Sequence, residues 1–152
     1  MGKLLVVNLH GLINVPTATR ATLIQLGIGR RFAATVVGDD EVSKGAVKLC
    51  KDYVAWTPLE PGLLADLLKA RGRVSNTKAL DDEALKALGF KTHADLAKAI
   101  MEGGRLSSKG LKPFFGLSPP KGGFRRSSRR QFREGGILGE NPQLGEIVRR
   151  MI

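Results

Sequence analysis

Five arginines fall within nine residues: Arg125, Arg126, Arg129, Arg130 and Arg133. Each guanidinium is a rigid planar fork that takes two anionic oxygens at once, the geometry of a phosphate clamp. Lys121, Gly122, Gly123, Phe124, Phe132, Gly135 and Gly136 stand among and around them. The glycines let the backbone come close to a polyanion and present bare N–H donors. Phe124 and Phe132 offer ring faces on which unpaired bases stack. The stretch therefore predicts a phosphate-rich partner, nucleic acid foremost. Its plain alternative is a solvated basic tail or a localisation signal. Arg30, Arg31, Lys44, Lys48 and Lys112 are further basic candidates for the same partner.

No other group of residues predicts catalysis, so the expectation is a protein that is not an enzyme, with no cofactor and no small-molecule substrate. One cysteine, Cys50, and two separated histidines, His10 and His93, cannot build a Cys/His zinc site. Gly27-Ile28-Gly29 is a fragment of a dinucleotide fingerprint, but it follows a helix pattern instead of a strand. Asp81, Asp82 and Glu83 read as the favourable negative charge of a helix N-terminus before they read as a cation site. Cys50 reads as a small core residue and Trp56 as sheet packing. His10, beside Gly11 at a strand end, reads as an RNA or backbone contact.

Charge distribution supports the same direction. The 152 residues carry 25 Lys+Arg against 14 Asp+Glu, a formal charge of +11, and the sequence pI is about 10.3. Residues 105–152 hold eleven of the basic and three of the acidic side chains, so most of the excess lies in the last third. A chain this basic has a polyanion as its default partner. An apolar content of 42% excludes wholesale disorder. No apolar run approaches the roughly 18–20 residues of a membrane span, so no membrane partner is expected. The opening MGKLLVVNLHG is too short in its apolar run, and too polar by Asn8 and His10, for a signal peptide. A single cysteine fits a reducing cytosol and no disulfide framework.

These residues need elements to position them. Lys3–Leu9 reads as a buried strand. Thr17 is placed to cap a helix bearing Ala18, Ala21, Leu23, Ile24 and Leu26 and closed by Gly27. Arg31–Val37 reads as a second strand. Asp40 and Glu41 open a helix in which Val42, Ala46, Leu49, Cys50 and Tyr53 form one apolar stripe. Residues 54–57 form a third strand, stopped by Pro58. Residues 1–60 thus predict a β-α-β-α-β core with both helices on one face of a small sheet. Residues 61–104 predict helices packed on that core: one from Pro61 with Leu63, Leu64, Leu67 and Leu68, one after Asp81, and one capped by Thr92 and ended by Gly103-Gly104. Residues 105–152 predict a basic Gly/Arg/Pro-rich extension, irregular from Leu111 to Gly139, with a short helix over 146–151. On this reading the core lies before Gly104, and the extension orders only on binding its partner.

Specific motifs sharpen the expectation. Gly11, Thr22-Leu23 through Leu26-Gly27, Gly45, Lys51-Asp-Tyr-Val-Ala-Trp56, Lys112-Pro-Phe-Phe-Gly-Leu-Ser-Pro-Pro-Lys-Gly-Gly123, Gly135-Gly-Ile-Leu-Gly139 and Ile147-Val-Arg-Arg-Met151 occur in one order along the chain. In that order they resemble the large-subunit ribosomal protein family L thirty in its long archaeal form, whose eukaryotic counterpart is called L seven. The resemblance implies a ferredoxin-like α+β fold with mixed strand directions, a structural role without catalysis, and a cytoplasmic place in the large subunit. It also implies contact with rRNA near the five-S RNA region and with neighbouring ribosomal proteins. Two departures stand out. His10 occupies a position that is commonly basic in the family, and Asp39-Asp40-Glu41 replaces a loop that usually carries a proline. The alternative reading is a free-standing RNA- or DNA-binding regulator using the same basic surface.

Overall fold

Lys3–Asn8 (β1) is apolar almost throughout because it lies inside a sheet covered on both faces. The computed structural model describes residues 2–103 and 105–152. Ala33–Gly38 (β2) and Val54–Pro58 (β3) flank β1, both antiparallel to it, so that Leu5 is opposite Val36 on one side and Thr57 on the other. Thr17–Gln25 (α1) and Glu41–Leu49 (α2) cover one face. There Val15, Leu23, Ile28, Val47 and Cys50 pack on Val6, Ala33 and Val54. Pro61–Arg71 (α3), Asp82–Ala87 (α4), His93–Met101 (α5) and Leu144–Met151 (α6) cover the other. Their leucines close on Leu5, Val7, Ala34 and Ala55. Both helices of the β-α-β-α-β unit thus share a face, as expected.

Three short strands complete the sheet: Phe115–Gly116 (β4), Ser127–Gln131 (β5) and Gly136–Glu140 (β6). The order is β4-β2-β1-β3-β6-β5, with β6 parallel to β3 and to β5 and the other pairs antiparallel. The fold is α+β with a six-stranded mixed sheet. Where the sequence reads as irregular from 111 to 139, the chain instead returns to the sheet. Phe115, Ile137, Leu138, Leu144, Ile147, Val148 and Met151 are all buried in the larger core. The expectation that the core ends before Gly104 is therefore corrected. Glycine conceals this strand from pattern reading. Gly136 is required because a Cβ there would run into the Arg130 backbone carbonyl, and Gly139 holds φ +77° against the Gln131 side chain.

Three local expectations also change. Thr17 is the first helical residue of α1; Pro16 occupies the cap position and no side chain caps that end. Of the α1 apolar set only Leu23 is buried, while Ile24 is exposed. In α2 the buried side runs through Ala46, Val47 and Cys50, leaving Val42 82% and Leu49 54% exposed. A nine-residue helix with apolar residues on more than one side does not define its own rotation. The sheet defines it, because Val47 and Cys50 are the residues that fit over Val6 and Val54. Elsewhere Thr92 caps α5 as read, accepting from the Asp95 N–H, and Asp40 and Asp81, read as negative charge at helix starts, also prove to be side-chain caps, accepting from the N–H of Ser43 and Ala84. The expected stop at Gly103-Gly104 is half in view: Gly103 has φ +124°, and Gly104 lies outside the described residues.

Candidate nucleic-acid interface

The arginine-rich stretch forms the edge strand β5 and its approaches, and three anchors hold it. At its start the Arg150 guanidinium of α6 donates to the carbonyls of Lys121 and Gly123. Gly122 and Gly123 turn there with φ +78° and +75°, and Arg125 follows at φ +60°. Phe124 next packs inward, its ring 6.1 Å from that of Phe32. At the far end Gln131 Nε2 donates to the Lys51 carbonyl at 2.9 Å. This segment is bound to its own domain before any partner arrives, which differs from an extension that orders only on binding.

Along this stretch and just beyond it Arg125, Arg126, Arg129, Arg130 and Arg133 are exposed. Among the described residues the ion pairs are Lys44 with Asp39 and Arg149 with Asp66, so none of the five β5-region arginines is neutralised by a carboxylate. Arg126 is the most constrained of them. It donates to the Phe132 carbonyl at 3.2 Å and lies 4.4 Å over that ring. The faces of Phe124 and Phe132 are thus engaged within the chain. Gly135 closes the turn after Phe132–Glu134 in a left-handed conformation, and Gly136 enters β6. Cationic side chains along an unpaired strand edge also discourage edge-to-edge pairing with another chain.

The other candidates divide among separate places. Arg31 joins the β5 stretch: with His10, Asp52, Ser128 and Arg129 it lines a concavity of about 420 Å³. Arg31 Nε donates to the Leu9 carbonyl, and its guanidinium lies 4.8 Å over Phe32. The turn carrying His10 is built by Asn8, whose buried side chain accepts from the N–H of His10 and Gly11 and donates to the Ile28 carbonyl. His10 stands edge-on to Tyr53 at 5.0 Å. Lys44 and Lys48 line a different depression together with Asp39 and Glu140. The 2.8 Å bond that Lys44 Nζ donates to the Asp39 carboxylate holds the Lys44 ammonium above its ordinary pKa, but that cation is already paired.

Arg30 and Lys112 meet in a third place, a cleft of about 810 Å³ between the α1–β2 turn, the end of α3 and the approach to β4. There the structure adds two residues that pattern reading missed, Arg71 and Arg73. The signal was present as Arg-Gly-Arg at the end of a helix, but seven basic and six acidic residues in that segment cancelled its weight. Among the described residues no three His, Cys, Asp or Glu side chains group as metal ligands, and no helix is long and apolar enough to cross a membrane. What the arrangement offers is guanidinium and ammonium groups, the chemistry that suits anionic oxygens.

Comparison with known proteins adds the lineage. The family model described as Ribosomal protein L30p/L7e matches residues 4–54. Over 150 residues, covering 97% of each chain, this sequence is 38% identical to a protein named large ribosomal subunit protein uL30 from Nitrosopumilus maritimus. It is 35% identical to the protein of that name from Cenarchaeum symbiosum, over 99% of each chain. The corresponding Aeropyrum pernix protein is also 35% identical, over 97% of each.

Proposed function

We propose, from the premise that this chain belongs to the ribosomal L30p/L7e family, that its arginine-bearing edge is the surface by which it grips rRNA. The protein is a structural constituent of the large ribosomal subunit, where it binds rRNA and neighbouring ribosomal proteins in the cytoplasm. Its part is architectural and not catalytic, and its place is near the five-S RNA. One observation carries this reading: five arginines on and beside an edge strand, held by Arg150, Phe124 and Gln131, with no carboxylate paired to them among the described residues.

Mechanistically, the folded domain is a preformed platform. Arg125, Arg126, Arg129, Arg130 and Arg133, with Lys121 and Arg31, neutralise crowded phosphates, and release of condensed cations supplies much of the affinity. Gly122, Gly123 and Gly135 keep the backbone bare where it meets RNA. Phe124 and Phe132 stiffen the segment from within. Readout is of RNA shape more than of base sequence. Because the segment is already tied to its domain, little ordering entropy is spent on binding. The test is sedimentation of a lysate on a sucrose gradient at moderate salt. A stoichiometric constituent travels with the large subunit. A free-standing regulator stays near the top, and that outcome would replace this reading with the alternative.

A further inference from the structure

A second basic place lies apart from β5, and its chemistry differs. Arg30, Arg71, Arg73 and Lys112 line the cleft at the end of α3, and among the described residues no acidic side chain lines it. Two of these cations are held in position. Arg71 Nη2 donates to Ser118 Oγ at 2.6 Å, and Arg73 Nη1 donates to the Asn76 carbonyl at 3.1 Å. The walls are sewn together by the Lys112 N–H donating to the Arg73 carbonyl at 2.8 Å. Gly72 sets the two arginines apart, in a spot where a Cβ would overlap the Leu68 carbonyl. Guanidiniums fixed in this way lose little freedom when they bind an anion.

One aromatic ring completes the cleft. Phe114 is half-buried there. Among the described residues the ring pairs are His10 with Tyr53 and Phe32 with Phe124, and the cation-covered rings are Phe32, Phe90 and Phe132. Phe114 has neither kind of partner. It is an aromatic side chain in a basic cleft, paired with no other ring or cation among the described residues.

We propose that this cleft takes a single unstacked nucleotide of RNA, its base on Phe114 and its phosphates on Arg30, Arg71, Arg73 and Lys112. This rests on the reading of the chain as an rRNA-binding protein and adds a second, base-accepting contact to the phosphate grip of β5. A volume of about 810 Å³ is within the roughly 300–1,000 Å³ of sites that enclose a small organic group. Planar bases of any kind suit an aromatic platform, and that contact tolerates sequence. An acidic peptide would use the same cations but would leave the ring idle.

The test uses the full chain and a single-stranded RNA pentamer carrying 2-aminopurine at its centre, a base whose fluorescence falls on stacking. With the natural sequence, quenching at saturation is expected. Phe114→Leu keeps the apolar bulk and removes the stacking face, so quenching is lost and affinity falls about tenfold. Arg30→Gln, at an exposed residue whose loss leaves the fold intact, weakens binding severalfold while quenching at saturation persists. A double change of Arg129 and Arg130 to Gln weakens binding to structured rRNA but leaves the pentamer's quenching unchanged. If Phe114→Leu and Arg30→Gln both behave as the natural chain, the cleft proposal is overturned, while the β5 grip still stands on the double variant's loss. If the double variant keeps full rRNA affinity, it is the β5 reading that fails. Displacement of the pentamer by oligoglutamate, with Phe114→Leu indifferent, would assign the cleft to an acidic protein segment and also overturn the proposal.

Discussion

Replacing Ile137 by Ala tests whether the C-terminal third belongs to the core of the free protein. Ile137 is 0% exposed, lies in β6 and packs in the same cluster as Leu5, Ala55 and the α3 leucines. The change removes three buried carbons, which at about 0.8 kcal/mol each cost about 2.4 kcal/mol in lost transfer free energy. β6 sits between β3 and β5, so the surroundings relax only partly, and a residual cavity at about 24 cal/mol per Å³ brings the total to about 3–4 kcal/mol. For a domain of this size each kcal/mol moves Tm by roughly 2–4 °C, so a drop of about 6–16 °C is expected. Urea or thermal unfolding of the isolated protein measures it. Leu49→Ala is the control: with Leu49 54% exposed, its loss should cost under about 1 kcal/mol. An Ile137→Ala protein that melts like the natural one would refute the packed β6. A Leu49→Ala protein that falls as far as Ile137→Ala would restore the apolar stripe read from the sequence of α2.

Further expectations concern glycine, salt and the thiol. Gly136→Ala should destabilise the chain by well over 1 kcal/mol because its methyl has nowhere to go, whereas Gly122→Ala, with open space around it, should cost about the 1–2 kcal/mol of a left-handed residue; paired melts compare them. Affinity for rRNA should fall about 10³–10⁵-fold between 50 and 200 mM salt if roughly 6–10 phosphates are engaged, and Arg125→Ala with Arg126→Ala should lower the log–log slope by about 0.9 for each phosphate no longer gripped. A flat salt response would contradict the phosphate grip. Burial pushes the Cys50 thiol pKa up, so the native protein keeps it protonated in a pH range where the unfolded chain has ionised. The contribution to stability is therefore complete below the ordinary thiol range and declines as pH rises through it. Iodoacetamide should label native Cys50 only at the rate of unfolding, and fast native labelling at pH 8 would contradict its burial.

The amino-acid sequence by itself determined much of this protein. Continuous apolar runs marked β1 and β3, and acidic charge at Asp40 and Asp81 with the Thr92 cap marked where α2, α4 and α5 begin, because these signals act within a few residues of themselves. The arginine row was equally legible, since a cluster of guanidiniums is basic whatever it packs against. What the sequence left open depends on distant partners. Gly136 and Gly139 look like strand breakers until Arg130 and Gln131 lie against them, so β6 is visible only as a tertiary fact. The rotation of α2 followed from which residues fit over Val6 and Val54. Which rings are already engaged was likewise decided in three dimensions: Phe124 lies against Phe32 and Phe132 under Arg126, while Phe114 lines a cleft with Arg30, Arg71, Arg73 and Lys112. Arg30 and Lys112 are 82 positions apart in the sequence, and only the closing of β4 onto β2 brings them to one cleft.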